Sequence, residues 1–298
     1  MCDMNFELLL SLAGPLLLGH LFSQHSGFDP GRGLRRVGAV QYSLHWLYAK
    51  LEPHLMRLFD RLIRKKAITD TRAGLLFLNA LCRLAFLAPH SIPVTTEAAE
   101  NFLEYITKSE GPKGARLGVG PCVCQWALGR RLGLYYKDLV VLYGADIYYH
   151  LNMGYRLISL AEAKKILREC ETAGLVHCID LCMRSGKYVF VMCNCEDQIC
   201  PAVRLYRLTG KFIWPGPHIV SYDASLCVGQ EHCGRCLQRC MFDAITVENG
   251  KVSVDYGKCV GCGLCVSTCL GNAKKMVPRD GYKHDHHVPS TILLRGKA

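Results

Sequence analysis

The chain has 298 residues, of which 50% are hydrophobic and 20% charged. This composition allows two or three domains with buried cores and excludes a disordered or collagen-like chain. The net charge is +11, but the basic residues are spread out, which argues against a nucleic-acid partner. The first ten residues contain Asp3 and Glu7 but no Lys or Arg, so we expect no secretory leader. The large number of cysteines, 18 in all, therefore indicates metal binding in a cytoplasmic protein rather than disulfide crosslinks.

Residues 1–115 are predicted to form a mostly helical N-terminal region. Apolar residues recur at helical spacing over residues 39–89. Thr95 is a suitable N-cap for a further helix, which we expect to end near Ser109.

Two segments of this region suggest contact with a membrane surface. Residues 5–22 are strongly apolar, but Glu7 and the Gly14-Pro15 break argue against one spanning helix, leaving a buried helix pair or an interfacial segment. Residues 57–66 are basic and amphipathic. They predict either a solvated helix face or peripheral docking to an anionic membrane or an acidic partner.

Residues 116–218 are predicted to form a mixed α/β middle domain. Ser159 and Glu162 have the spacing of a capping box, and Gly174 is suited to end the helix that starts there. Two apolar runs follow and predict a β-hairpin: residues 175–179 and 188–192. Residues 209–218 are rich in Gly and Pro and predict a linker.

Residues 219–280 contain an internal repeat with a cysteine-rich loop in each half. The second half reads Cys259-x2-Cys262-x2-Cys265-x3-Cys269, and the first reads Cys227-x5-Cys233-x2-Cys236-x3-Cys240. Three cysteines on a tight loop can surround one 4Fe–4S cubane, while the fourth reaches another cubane. Small residues let backbone N–H groups approach the cluster, and the second loop supplies Gly257, Gly261 and Gly263. Asn249-Gly250 predicts a hairpin turn between the halves.

This segment resembles the bacterial ferredoxins that carry two 4Fe–4S clusters. The resemblance implies one cluster held by Cys227, Cys233, Cys236 and Cys269, and another held by Cys240, Cys259, Cys262 and Cys265. Met241 and Leu270 stand where the family usually has Pro. The longer gap after Cys227 leaves open a 3Fe–4S cluster at that site. A structural zinc pair is the alternative use of C-x2-C spacing.

The middle domain contains candidate ligands for a third metal site: Cys122, Cys124, Cys193, Cys195 and Cys200. In an extended strand, residues i and i+2 point the same way, about 6.6 Å apart, so two C-x-C pairs could supply a third Fe–S cluster. Cys195 either competes with the other four cysteines for a place as ligand, or the set leaves one iron without a protein ligand. Zinc or reduced buried thiols are the alternatives. His177, Cys170, Cys178 and Cys182 are interpreted as buried residues rather than ligands.

Residues 116–280 also resemble a set of ferredoxin-fused redox proteins in which three segments precede two ferredoxin repeats. The matching segments are Pro121 to Cys124 (PCVC), Gly174 to His177 (GLVH) and Cys193 to Cys195 (CNC). In that set, further cysteines usually follow the CNC segment, whereas four other residues precede Cys200 here. The resemblance implies metal binding in the middle domain.

The predicted fold class is α+β: a helical N-terminal region, a mixed α/β middle domain, a C-terminal ferredoxin-like dicluster domain and a polar tail over residues 281–298. The predicted function is an electron-transfer protein or oxidoreductase subunit that relays single low-potential electrons between redox partner proteins. The alternative is a reductase that binds and reduces a substrate at an incompletely ligated third cluster. Neither a Walker A loop nor a dinucleotide-binding glycine motif is evident.

Overall fold

The structure is a computed structural model that describes residues 39–84, 89–109, 117–182, 189–248, 251–282 and 290–295. The predictions for residues 5–22 and for the turn at Asn249-Gly250 lie outside these residues. The predicted α+β class is confirmed, because helices and strands are mixed along the chain.

Helices form the start of the described chain. They are α1 (Ala39–Arg64), α2 (Lys66–Thr69) and α3 (Arg72–Leu84). The basic stretch at residues 57–66 spans the end of α1 and the start of α2. Among the helices in the described part of the chain, none combines the length and apolar character that crossing a bilayer requires.

A six-stranded antiparallel sheet forms the middle of the protein. Its strands are β1 (Pro89–Val94), β2 (Leu117–Pro121), β3 (Tyr136–Val141), β4 (Arg156–Ile158), β5 (Val176–Cys182) and β6 (Val189–Cys195). Their order across the sheet is β1-β5-β6-β3-β2-β4. β1 is a strand within the predicted helical region. It lies at the sheet edge, where proline is tolerated because one side of the strand needs no ladder hydrogen bonds.

Five further helices connect or follow these strands: α4 (Thr96–Ser109), α5 (Val123–Leu128), α6 (Tyr143–His150), α7 (Leu160–Ala173) and α8 (Pro201–Thr209). The local sequence signals are confirmed for two of them. The Thr95 hydroxyl accepts a hydrogen bond from the Ala98 N–H at the start of α4. Ser159 accepts one from the Glu162 N–H at the start of α7, and Gly174 ends α7 in the left-handed conformation.

The C-terminal part is built from short elements around two small sheets. The elements are β7 (His218–Tyr222), α9 (Arg235–Arg239), β8 (Ile245–Glu248), β9 (Lys251–Val254), α10 (Leu264–Ser267) and β10 (Lys274–Pro278). β7 pairs with β10, and β8 pairs with β9. The first and last strands of this part are thus joined, which brings its two halves together.

The main hydrophobic core lies between the sheet and helices α4, α6 and α7, with Phe102, Val140 and Leu167 at its centre. A last helix, α11 (Ser290–Leu293), falls within the predicted polar tail. Its Ile292 and Leu293 side chains are apolar and are buried in the main core.

Candidate metal centres

The C-terminal part repeats one local design twice. In each half, a cysteine-rich loop leads to a left-handed glycine, Gly234 or Gly263, that directly precedes a helix of one turn. Glycine suits this position because it adopts a positive φ without a steric penalty. Each short helix then carries the fourth cysteine of its run at or just beyond its end, at Cys240 and Cys269.

One cavity is lined by four cysteines, namely Cys227, Cys233, Cys236 and Cys269. Three of them come from the first loop and its helix, and Cys269 comes from the second half. Lys274 also lines this cavity and packs its ammonium over the Tyr222 ring. The hydrogen bond with Tyr222 is the main cause that lowers the pKa of the Cys227 thiol. A lowered pKa favours the thiolate that binds metal.

A second cavity is lined by the other four cysteines of the repeat, namely Cys240, Cys259, Cys262 and Cys265. Cys240 belongs to the first run, so this cavity, like the first, takes one cysteine from the other half of the repeat. Burial raises the pKa of Cys265 to about 12 and also raises that of Cys262. Metal binding must displace these thiol protons.

Each cavity is lined by a glycine at which a larger residue would clash with a neighbouring backbone carbonyl group. Gly261 has φ +83°, and a Cβ there would lie 2.0 Å from the His218 carbonyl oxygen. A Cβ at Gly271 would lie 2.2 Å from the Leu226 carbonyl oxygen. Among the described residues, no group of three or more His, Cys, Asp or Glu side chains is arranged around a single metal ion. A cubane instead takes its thiolates at separate irons.

The five candidate thiols of the middle domain lie close together. Cys122 and Cys124 lie before and within α5, Cys193 and Cys195 end β6, and Cys200 precedes α8. The Cys124 thiol is within hydrogen-bonding distance of Cys122 and Cys200. The Cys195 thiol is within that distance of Cys193 and Cys200, and also of Cys178. Cys178 was interpreted from the sequence as a buried thiol; it is buried and also borders this group.

Buried charged and polar side chains surround the middle thiols. The Cys193 thiol donates to Asp180 Oδ2 at 3.2 Å, and burial raises the pKa of Asp180 to about 6. The Val123 N–H donates to Asp138 Oδ2 at 2.8 Å, and burial raises the pKa of Asp138 to about 7. Lys137 is fully buried next to Asp138. A lysine inside an apolar strand has no sequence signal for burial, so it was not among the predicted site residues.

His177 is a hydrogen-bonding residue of the sheet. It is buried and lies 3.0 Å from Thr96 Oγ1 and 2.5 Å from Asn194 Oδ1. Burial lowers its pKa to about 4, so the ring is neutral at physiological pH. Both ring nitrogens are thus engaged with side chains other than thiols.

The middle thiols and the second cavity share one hydrophobic cluster. Cys178, Cys195 and Cys200 are buried in it together with Met241, Phe242 and Val260 of the C-terminal part. Cys124, Cys193, Cys240 and Cys262 pack against the same cluster. Cys227 and Cys236 of the first cavity instead pack in a separate cluster with Ile245 and Val252, which Cys240 and Cys265 of the second cavity also contact. The second cavity therefore lies on the side of the middle thiols.

Comparison with known proteins identifies the C-terminal part. Residues 219–270 match the family model described as a 4Fe-4S dicluster domain. Neither the curated proteins nor the solved structures include a significant match to this chain. A dicluster domain binds 4Fe–4S clusters and supports electron transfer to and from redox partners. The C-terminal part of this mixed helical and sheet protein is a 4Fe–4S dicluster domain.

Proposed function

We propose that the protein relays single low-potential electrons through two 4Fe–4S clusters, as an electron-transfer protein or as a subunit of an oxidoreductase. The observation that carries this proposal is the pair of cavities, each lined by four cysteines drawn from both halves of the repeat. This interleaving matches the arrangement in which each cysteine run completes the site of the other.

The proposed ligands follow from the two cavity linings. Cys227, Cys233, Cys236 and Cys269 would hold the outer cluster, and Cys240, Cys259, Cys262 and Cys265 the inner cluster. When bound, such clusters accept and release one electron each. The chain supplies the thiolates, glycine-lined loops that allow close backbone approach, and Lys274, whose positive charge offsets part of the negative charge of the outer site.

We further propose a third Fe–S cluster in the middle domain, held by thiols from Cys122, Cys124, Cys193, Cys195 and Cys200. Support comes from the close approach of these thiols, although Cys124 and Cys193 are far apart in the sequence. The middle thiols share a hydrophobic cluster with Cys240 and Cys262 of the inner site, which supports placing the inner cluster next to the middle site in the path of the electrons. Electrons would then pass between the outer cluster and the middle site through the inner cluster.

The alternative function is a reductase whose substrate binds at an open iron of the middle cluster. The observation that favours it is the buried polar environment of that site, with Asp138, Asp180 and Lys137 close to the thiols. A reductase would turn over a substrate without a partner protein, and a small ligand such as cyanide would perturb the spectrum of the middle cluster. An electron carrier would do neither.

Peripheral membrane contact is proposed through α3 and the basic residues before it, placing the protein at the cytoplasmic membrane surface. Leu76 and Phe77 on α3 are 71% and 50% exposed. Lys65, Lys66 and Arg72 are also exposed and lie close by in the sequence. Exposed apolar side chains flanked by basic ones are typical of helices that lie on anionic membranes.

Iron and acid-labile sulfide analysis of anaerobically purified protein, with EPR of the reduced state, tests the proposal. About eight irons per chain with two coupled signals mean a dicluster carrier, and about twelve mean a third cluster. Replacing Cys236 or Cys262 with Ser should remove about four irons or convert one cluster to a 3Fe–4S form. The matched control is Cys170→Ser, because this buried thiol on α7 lines neither cavity. Iron near zero in the unaltered protein would refute the proposal.

A further inference from the structure

A lysine is completely buried beside the middle thiols. The Lys137 side chain on β3 has 0% exposure, and its ammonium group makes no hydrogen bond. Glu196 Oε1 lies 3.5 Å from the Lys137 Nζ. A buried positive charge is unfavourable unless negative charge compensates it. The surroundings of Lys137 must therefore provide that negative charge.

Glu196 compensates this charge incompletely. The same Oε1 that faces Lys137 accepts a hydrogen bond from Gln125 Nε2 at 2.9 Å, so the ammonium group does not have this oxygen to itself. The Glu196 side chain is 16% exposed, whereas that of Lys137 is fully enclosed, so solvent screens the carboxylate more than the ammonium. Further negative charge is needed near Lys137.

The middle thiols can supply this charge. Burial is the largest single influence on the pKa of Lys137 and lowers it, but Cys122, Glu196, Asp138 and Cys195 together outweigh burial and raise the pKa above its usual value. Two of these four groups are middle thiols. Cys122 and Cys195 come from different elements, so Lys137 faces the middle site as a whole rather than one thiol.

The position of Lys137 is fixed relative to the thiols. Asn194 lies between Cys193 and Cys195, and its Nδ2 donates to the backbone carbonyl of Lys137. His177 Nδ1 in turn bonds to Asn194 Oδ1 at 2.5 Å. The strand that carries the lysine and the strand that carries two of the thiols are thereby tied together.

We propose that Lys137 is the counter-charge of the middle site, which offsets the negative charge of the cluster held there and sets its reduction potential. This inference rests on the proposed third cluster. Four thiolates around a 4Fe–4S core leave a net charge of about −2, and reduction adds one more negative charge. A fixed positive charge nearby stabilises the reduced form most and therefore raises the reduction potential.

Two substitutions in the full-length protein test the proposal by shifting the potential in opposite directions. Lys137→Met removes the positive charge but keeps an apolar side chain of similar length, so the potential of the middle cluster should fall. Glu196→Gln removes the competing carboxylate and keeps an acceptor for Gln125, so the potential should rise. EPR-monitored redox titration of anaerobic protein measures both. The outer cluster is the internal control and should keep its potential, because Cys227 and Cys236 pack in a hydrophobic cluster that contains none of the middle thiols.

The outcomes separate this inference from the proposed function. Opposite shifts at the middle cluster support the counter-charge. A third-cluster signal with the same potential in both variants overturns it and leaves the third cluster standing. Iron near eight per chain in the unaltered protein overturns both. Should Lys137→Met fail to fold, Glu196→Gln decides alone, because an unchanged or lowered potential contradicts the proposal.

Discussion

Replacing Gly261 with Ala tests whether the inner site requires a glycine at this position, and Gly229 provides a matched control. Both glycines lie in cysteine-rich loops and have nearly the same conformation, with φ +83° at Gly261 and +85° at Gly229. A Cβ at Gly261 would lie 2.0 Å from the carbonyl oxygen of His218, whereas a Cβ at Gly229 would meet nothing within 4 Å. The two Gly→Ala substitutions therefore share the backbone strain and differ in the steric clash.

The expected magnitudes follow from these two contributions. The left-handed conformation costs a non-glycine residue about 1–2 kcal/mol, which is the full expected cost at Gly229. Overpacking against a backbone that must move adds about 1–3 kcal/mol at Gly261. The backbone there cannot yield easily, since Arg279 donates to the carbonyl oxygens of both His218 and Cys259, at 3.1 and 2.8 Å. Gly261→Ala should thus displace the loop between Cys259 and Cys262.

Iron and sulfide content of the two anaerobically purified variants provides the assay. Gly261→Ala is expected to lose the inner cluster, about four irons per chain, while Gly229→Ala, at a residue that lines the outer cavity, is expected to keep the inner cluster. EPR should show that the signal left in Gly261→Ala is that of the outer cluster. An inner-cluster signal of equal strength in both variants would refute the reasoning, because the clash with His218 would then have no structural consequence.

Two further predictions concern pH and membranes. Because the pKa of His177 is about 4 in the folded protein and about 6.5 when unfolded, only the unfolded state gains its proton between these values, and the stability that His177 contributes falls as pH decreases. This contribution should change by about 1 kcal/mol between pH 7 and 5.5, and urea unfolding should show it as the difference in pH dependence between the unaltered protein and His177→Gln; the same pH dependence in both would contradict this assignment. The protein should co-sediment with anionic phosphatidylserine vesicles at low salt, and replacing Leu76 and Phe77 with Ser should weaken binding at least about tenfold. Leu270→Ser, at an exposed site of the dicluster domain, is the control, and failure of the unaltered protein to co-sediment would rule out this membrane contact.

Signals that act over a few residues were readable from the sequence. The Thr95 and Ser159 caps and the glycine at 174 act within one helical turn, and the structure has the helices that they predict. The eight cysteines of the repeat are a similar case. Their spacing places three thiols on one short loop, so the expected sets line the two cavities once the halves pair through β7 and β10.

Local patterns could not locate β1. The segment Pro89–Val94 contains two prolines and has no alternating pattern that would predict a strand. It becomes a strand by pairing with β5, in a register that joins Ile92 to Ile179. Such pairing depends on a distant partner and on a sheet edge where proline is tolerated, and neither is visible within the segment.

The amino-acid sequence by itself determined that the C-terminal part is a 4Fe–4S dicluster domain, because cysteine spacing within short loops limits which thiols can surround one cubane. Tertiary structure alone decided where the remaining thiols lie. Cys124 on α5 and Cys200 before α8 meet because both helices pack against α1, and Lys137 on β3 is buried near Cys122 and Cys195. Contacts of this kind depend on the packing of distant elements and on an enclosed environment, which residue spacing does not encode.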